Sequence, residues 1–273
     1  MMGPMPRMKK VPPAMNTQRS NTPDGAHIAW YSAGVGETVI LIPGQAVTRH
    51  SWDPIVADLA DRFRVVTFDY RGIGDSTDGS HPPETTRRLA EDVRHVLRDA
   101  EVTQAHVIGH PMGGRVAQWL AIDHPETVAT LVLIATTGGD ARGRSRTDDA
   151  SADLRSGEPG RLARRFFIDE YLRANPDAID VFIRKEGSAA TRRRAYAASL
   201  SHDAWDRLEE ISSPTLVVHG ELDSITPPEN GRLLTAAIPD AVFLEVPGGQ
   251  HAPHIDHTWL RRRIIEHLIG TSR

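Results

Sequence analysis

The sequence predicts an α/β fold: a mostly parallel sheet flanked by helices, with a helical insertion over one end of the sheet. Three observations carry this. From residue 26 short apolar runs alternate with longer amphipathic ones, as β-α-β units do. The run Thr38–Ile42 (TVILI) is continuously apolar and stops at Pro43-Gly44, the pattern of a strand buried on both faces. Residues 138–208 break the rhythm and read helically, with no obvious strand.

Ala26–Tyr31 reads as an edge strand and Thr38–Ile42 as a central one. Trp52–Arg62 reads as a helix, with Ile55, Val56 and Leu59 on one side. Arg64–Phe68 is the next strand. Glu84–Asp99 places Leu89, Val93, Val96 and Leu97 at helical spacing. Ala105–Ile108 follows as a strand, Met112–His124 as a helix and Thr130–Ala135 as a strand. Pro214–His219, Pro228–Ile238, Ala241–Val246 and Thr258–Leu268 complete a strand–helix–strand–helix ending. The expected organisation is a flexible leader at 1–18, a core formed by 19–137 and 209–273, and a helical cap at 138–208. Asp140–Gly160 is charged in both signs and poor in apolar residues, so it is expected to be the most mobile part of the insertion.

A chain of 273 residues with 39% hydrophobic and 25% charged residues can bury a sizeable core, which excludes disordered and fibrous classes. Lys+Arg is 32 against Asp+Glu 36, a formal net charge of −4. No basic excess exists to neutralise a phosphate backbone, so no nucleic-acid partner is expected. Cys is 0, which excludes disulfides, thiolate catalysis and thiolate zinc sites together. No apolar run is long enough for a signal peptide in Met1–Gln18 or for a transmembrane span, so the expectation is a cytoplasmic protein with no membrane partner. The basic residues are almost all arginine, which reads as coding bias and carries no functional inference.

Gly109-His110-Pro111-Met112-Gly113-Gly114 lies between a predicted strand and a predicted helix. With serine at 111 it would be the G-x-S-x-G nucleophile elbow. Leu41-Ile42-Pro43-Gly44-Gln45 ends a strand where an oxyanion-hole loop would lie. Asp69-Tyr70-Arg71-Gly72-Ile73-Gly74-Asp75-Ser76 follows the next strand. His219-Gly220-Glu221-Leu222-Asp223 and Pro247-Gly248-Gly249-Gln250-His251 follow the last two strands.

In these motifs and their order the chain resembles the α/β-hydrolase fold superfamily, in its bacterial esterase, haloperoxidase-like and polyketide-tailoring methylesterase branches. The resemblance runs over roughly residues 22–270, and the insertion matches the family's cap. It implies that Asp223 is the acid and His251 the base. It implies too that the backbone N–H groups of Gln45 and Met112 form the oxyanion hole.

Pro111 departs from the pattern. The family's nucleophile occupies this position, and proline has no hydroxyl, so no acyl-enzyme can form there. The elbow residue ordinarily has positive φ, whereas proline is locked near about −65°. A relaxed elbow is therefore expected, with Pro111 opening the following helix and His110 extended at the strand end.

Each remaining candidate has a plain structural reading beside the functional one. His251 could be structural and Asp223 could cap a turn, but their motif positions favour a pair. The Gln45 amide could donate into the pocket. His110 ordinarily points away from the site, and a reshaped elbow lets it reach in. His254 and His257 follow His251 closely, but no second ligand set accompanies them, so no metal or cofactor is expected. Asp69 and Arg71 are expected to hold loops together. Phe166, Phe167, Tyr171 and Trp205 read first as packing; because the insertion roofs the pocket, Phe166 and Trp205 are also candidate substrate contacts. Arg192-Arg193-Arg194 reads as a solvated face.

Three functions remain. The first is an enzyme in which His251, oriented by Asp223, acts as general base without a covalent intermediate on a small hydrophobic molecule, by elimination, isomerisation, cyclisation or C–C cleavage, as in natural-product tailoring. The second is hydrolysis of an activated ester, lactone or epoxide by water that the same pair activates. The third is a non-catalytic ligand-binding protein on a retired hydrolase fold.

Overall fold

The computed structural model describes residues 13–82, 84–184 and 186–270. Of the expected leader, residues 1–12 lie outside that range. The remainder is corrected: Asn16–Asn21 is strand β1, paired antiparallel with β2 (His27–Ala33) from Asn16↔Ser32 to Asn21↔His27. β2 is therefore not the edge strand expected at Ala26–Tyr31.

Among the described residues the sheet has eight strands in the order β1-β2-β4-β3-β5-β6-β7-β8. The further strands are β3 (Thr38–Ile42), β4 (Arg64–Phe68), β5 (Ala105–Gly109), β6 (Val128–Ile134), β7 (Thr215–Gly220) and β8 (Ala241–Val246). β2 runs antiparallel to β4, and every later pairing is parallel. β3 and β5 bury every residue, so their apolar runs face helices on both sides.

Those helices are α1 (Asp53–Leu59), α2 (Thr86–Asp99), α3 (Met112–Asp123), α9 (Glu229–Ala237) and α11 (Thr258–Gly270), the last preceded by the short α10 (Pro253–Asp256). One core lies where Val93 and Leu97 of α2 and Val116 and Leu120 of α3 meet Ile40, Val66 and Val107. The other joins Ile55 and Leu59 of α1 and Leu260 and Ile264 of α11 to Val39, Leu41 and Val132. α2 begins where the Thr85 hydroxyl accepts from the Arg88 N–H at 3.2 Å, which satisfies an otherwise orphaned donor.

Residues 138–208 fold as α4 (Asp148–Ser156), α5 (Pro159–Phe166), α6 (Asp169–Ala174), α7 (Asp180–Ile183) and α8 (Ala189–Leu200). The expected mobile stretch contains α4, capped by Thr147 and ended by Gly157 at φ 64°, a left-handed cap that suits glycine. Phe167, Tyr171 and Leu162 bury themselves with Ala252 and Ile255 in a separate small core. The insertion is also stitched to the end of the sheet. The N–H groups of His251 and Ala252 donate to the carbonyls of Arg165 and Phe166 at 3.1 and 3.0 Å.

Asp69 and Arg71 act as expected. Arg71 pairs with Asp92 at 2.6 Å, and Asp69 accepts from the Arg49 N–H at 2.8 Å. Among the described residues no helix is long and apolar enough to cross a membrane.

Candidate active site

The loops after β3, β5, β7 and β8 gather at the carboxyl ends of the parallel strands, where open α/β sheets bind their ligands. They carry Gln45, His110 with Pro111, Asp223 and His251. A cavity of about 350 Å³ opens among them and is lined by Gln45, His110, Pro111, Met112, Phe166 and His251.

His251 and Asp223 are both buried, with Nδ1 of the ring 2.8 Å from Oδ2 of the carboxylate. A carboxylate only accepts, so Nδ1 carries the proton and Nε2 keeps a lone pair. Asp223 Oδ1 accepts from the N–H groups of Ile225 and Thr226, each at 2.9 Å. Both carboxylate oxygens are thus occupied, and the aspartate holds one orientation. The Phe166 ring stands edge-on to His251 at 5.2 Å and 90°.

Pro111 has φ −73° and ψ −40° and sits immediately before α3. Its carbonyl accepts from the Gly114 N–H at 3.1 Å and from the Thr136 hydroxyl at 2.6 Å. Positive φ outside glycine occurs at Ala46, Glu101 and Ala135 among the described residues, not in this turn. The relaxed geometry follows from the pyrrolidine ring. Two glycines make the turn possible. A Cβ on Gly109 would lie 2.4 Å from Gly113, and one on Gly113 would lie 2.0 Å from the Ile42 carbonyl oxygen.

Gln45 and Met112 both line the cavity. Among the described residues neither backbone N–H finds an acceptor. Met112 is the first residue of α3, where free N–H groups and the helix dipole favour a negative oxygen. His110 also reaches the cavity, but its Nε2 lies 2.9 Å from the His251 carbonyl oxygen.

Trp205 is corrected. Its ring packs on Gly138, where a Cβ would come within 2.9 Å, and its indole N–H donates to the Gly139 carbonyl at 3.0 Å. It braces the root of the insertion and does not line the cavity. Phe182, Tyr196, Arg115 and Arg146 line it instead. The aromatics carried no motif, and the arginines were hidden in an arginine-rich composition.

Burial dominates the histidines around His251. It pushes His254 down to about 3 and His219 to about 4, and holds His110 well below the ordinary histidine value. All three are neutral near pH 7. Among the described residues no three His, Asp or Glu side chains are grouped to hold a metal ion.

Comparison with known proteins agrees with this geometry. Residues 37–258 match the family described as alpha/beta hydrolase fold. A pimeloyl-[acyl-carrier protein] methyl ester esterase of Aeromonas hydrophila is 29% identical over 251 residues, 87% of this chain and 97% of the relative. The crystal structure of a hydrolase from Pseudomonas aeruginosa is 28% identical, with a TM-score of 0.79 over 93% of this chain and 98% of that one. A thermophilic esterase from Thermogutta terrifontis is 25% identical, with a TM-score of 0.76 over 95% of this chain and 100% of that one. Sheet order, loop positions and family match together mean that this chain belongs to the α/β-hydrolase fold family.

Proposed function

We propose that the protein is a hydrolase of an activated ester or lactone in which His251, oriented by Asp223, activates water directly. The observation that carries this reading is the buried 2.8 Å His251–Asp223 pair opening on a cavity whose elbow residue, Pro111, has no hydroxyl. His251 Nε2 takes a proton from water as the water oxygen bonds to the substrate carbonyl carbon. The developing oxyanion is held by the Met112 and Gln45 N–H groups. Collapse breaks the bond to the leaving oxygen, which receives the proton from the imidazolium. The products are a carboxylic acid and an alcohol, and no bond to the protein forms.

The esterase and hydrolase relatives support this reading over the elimination, isomerisation, cyclisation or C–C cleavage expected first from the sequence. The same base and the same two N–H groups would also serve those reactions, since an enolate oxygen needs donors too; the preference for hydrolysis rests on the relatives. General base catalysis supplies about 10²–10⁴ fold and positioning the rest. The test is turnover of 4-nitrophenyl acetate and simple lactones in H₂¹⁸O. One ¹⁸O in the product acid and none in the alcohol is expected as the mark of acyl–oxygen cleavage by water, and rapid-quench mass spectrometry should find no acyl-protein. Absence of turnover across esters and lactones, or a trapped acyl-protein, would overturn the reading.

A further inference from the structure

The catalytic cavity does not end at Phe166. It continues into an outer lobe of about 490 Å³. The two spaces share Arg115, Arg146, Leu154, Tyr196, Ile225 and Thr226. The outer lobe adds Arg144 and Arg155 and one acid, Asp140. Four guanidinium groups therefore line it against one carboxylate, in a chain whose formal net charge is −4. Such a local reversal inside a concave wall concentrates anions.

Arg115 is anchored for this purpose. Its Nη1 donates to the Ser199 carbonyl and its Nη2 to Asp140 Oδ1 at 3.1 Å, which leaves further N–H donors of its five. Burial lowers its pKa, Asp140 opposes that, and the nearby Arg146 charge adds to it. Arg144, Arg146 and Arg155 make no side-chain ion pair among the described residues. Arg115 has Asp140 as its partner, whereas Arg146 on the same cavity wall has no carboxylate partner among the described residues, and a bound anion would complete the balance. Leu154, Tyr196 and Leu200 supply apolar wall beside them.

We propose that the substrate carries an anionic group, a carboxylate or a phosphate, at the end remote from the bond cleaved, and that Arg115 and Arg146 bind it where the inner cavity meets the outer lobe. The guanidinium fork matches either oxyanion with two parallel hydrogen bonds. The apolar wall receives the chain between that group and the reacting carbonyl. The proposal rests on the hydrolase reading for what happens at His251, but anion binding does not require turnover.

The experiment has two arms. Calorimetry on His251→Ala protein measures adipate, hexyl phosphate and neutral 1,6-hexanediol. At least tenfold tighter binding of one of the anions than of the diol is expected, weakening with salt and lost on adding Arg146→Glu. Arg146 is exposed, so that variant avoids the folding risk of changing Arg115. Adipate binding marks carboxylate as the group, and hexyl phosphate binding marks phosphate. The second arm compares kcat/KM for monomethyl and dimethyl adipate. The half-ester should be favoured at least tenfold, mainly through KM, and Arg146→Glu should remove the preference. Adipate or hexyl phosphate bound without any ester turnover leaves the anion subsite standing and fails the hydrolase reading. Equal turnover of both esters, with no anion bound more tightly than the diol, overturns the subsite and leaves the hydrolase reading intact.

Discussion

The imidazole of His110 donates from Nε2 to the backbone carbonyl of His251 at 2.9 Å. The residue just before Pro111 thus ties the turn after β5 to the loop that carries His251. Because burial keeps His110 neutral, only one ring nitrogen bears a proton, and this bond places it on Nε2. Trp52 and Phe182 stand edge-on to the same ring at 6.4 and 6.5 Å, which fixes its plane.

His110 is accordingly a positioning residue. His110→Phe keeps an aromatic ring but leaves a buried carbonyl unpaired, at a cost of about 1–3 kcal/mol, to which the larger ring adds crowding. A fall in Tm of about 2–4 °C per kcal/mol is expected, with kcat falling more than KM rises. His110→Gln, whose amide can donate, should recover part of kcat. A His110→Phe protein with unchanged Tm and kcat would show that the bond positions nothing.

His251→Ala should lower turnover by about 10²–10⁴ fold, or about 3–5 kcal/mol of barrier. Asp223→Asn should cost less, since the aspartate orients the ring, but it favours the wrong tautomer and will not be silent. Steady-state kinetics on 4-nitrophenyl acetate settle both. Turnover indifferent to His251→Ala would move the chemistry to another base or return the protein to the ligand-binding reading.

Legibility tracked local signal. β3 and β5 were readable because strands buried on both faces are continuously apolar. β1 was missed because its residues, NTQRSN, are nearly all exposed on an edge strand and carry no apolar period. Asp223, His251, Gln45 and Met112 stand in or beside motifs at strand ends, so the family resemblance that those motifs carry points to them, and the structure brings them to one end of the sheet. Trp205 stood in no motif, and its use against Gly138 depends on a contact from distant sequence. The arginines of the outer lobe come from α3, from α4 and from the loop between β6 and α4. Only folding makes them neighbours.

Acid should destabilise the fold through its buried histidines. Burial lowers His254 and His202 to about 3 and His219 to about 4, with His110 also well below its ordinary value. In the unfolded chain these groups titrate near about 6.5, so below that pH the unfolded state binds more protons. Stability should be full above about pH 6.5 and fall between there and about pH 3, by up to about 1.4 kcal/mol per pH unit for each histidine. Urea unfolding at pH 7.5, 6.0 and 5.0 measures this. A flat free energy across that range would mean that these rings are solvated or paired in the folded protein.

A fluorophosphonate probe should leave the protein unlabelled at the cavity. Pro111 has no hydroxyl and the chain has no cysteine, and among the described residues no hydroxyl bonds to His251, so none is activated by it. Intact-mass spectrometry after incubation reads the outcome. Stoichiometric labelling of a serine lining the cavity, such as Ser199, would reveal a displaced nucleophile and a covalent mechanism.

Pro111→Ser should fold and yet not yield an efficient esterase. At φ −73° and ψ −40° any residue fits, and the loss of the ring's constraint on the unfolded chain costs only about 0.4–1 kcal/mol. The serine would inherit a helical start rather than a strained turn. The Pro111 carbonyl is held by the Thr136 hydroxyl and the Gly114 N–H, contacts that a serine backbone keeps. These bonds oppose the shift to positive φ that would aim Oγ at His251. A Cβ on Gly44 would approach the Pro111 ring to 3.1 Å, so removing the ring opens space beside the turn rather than filling it with a nucleophile. The expected variant takes up fluorophosphonate slowly, hydrolyses 4-nitrophenyl acetate weakly and loses some of the turnover of the native protein. A Pro111→Ser protein with fast, specific ester hydrolysis and stoichiometric labelling would mean that the turn readily regains the strained form. The native proline would then be a single lesion in an otherwise ordinary serine hydrolase, and the direct-water mechanism would fail with it.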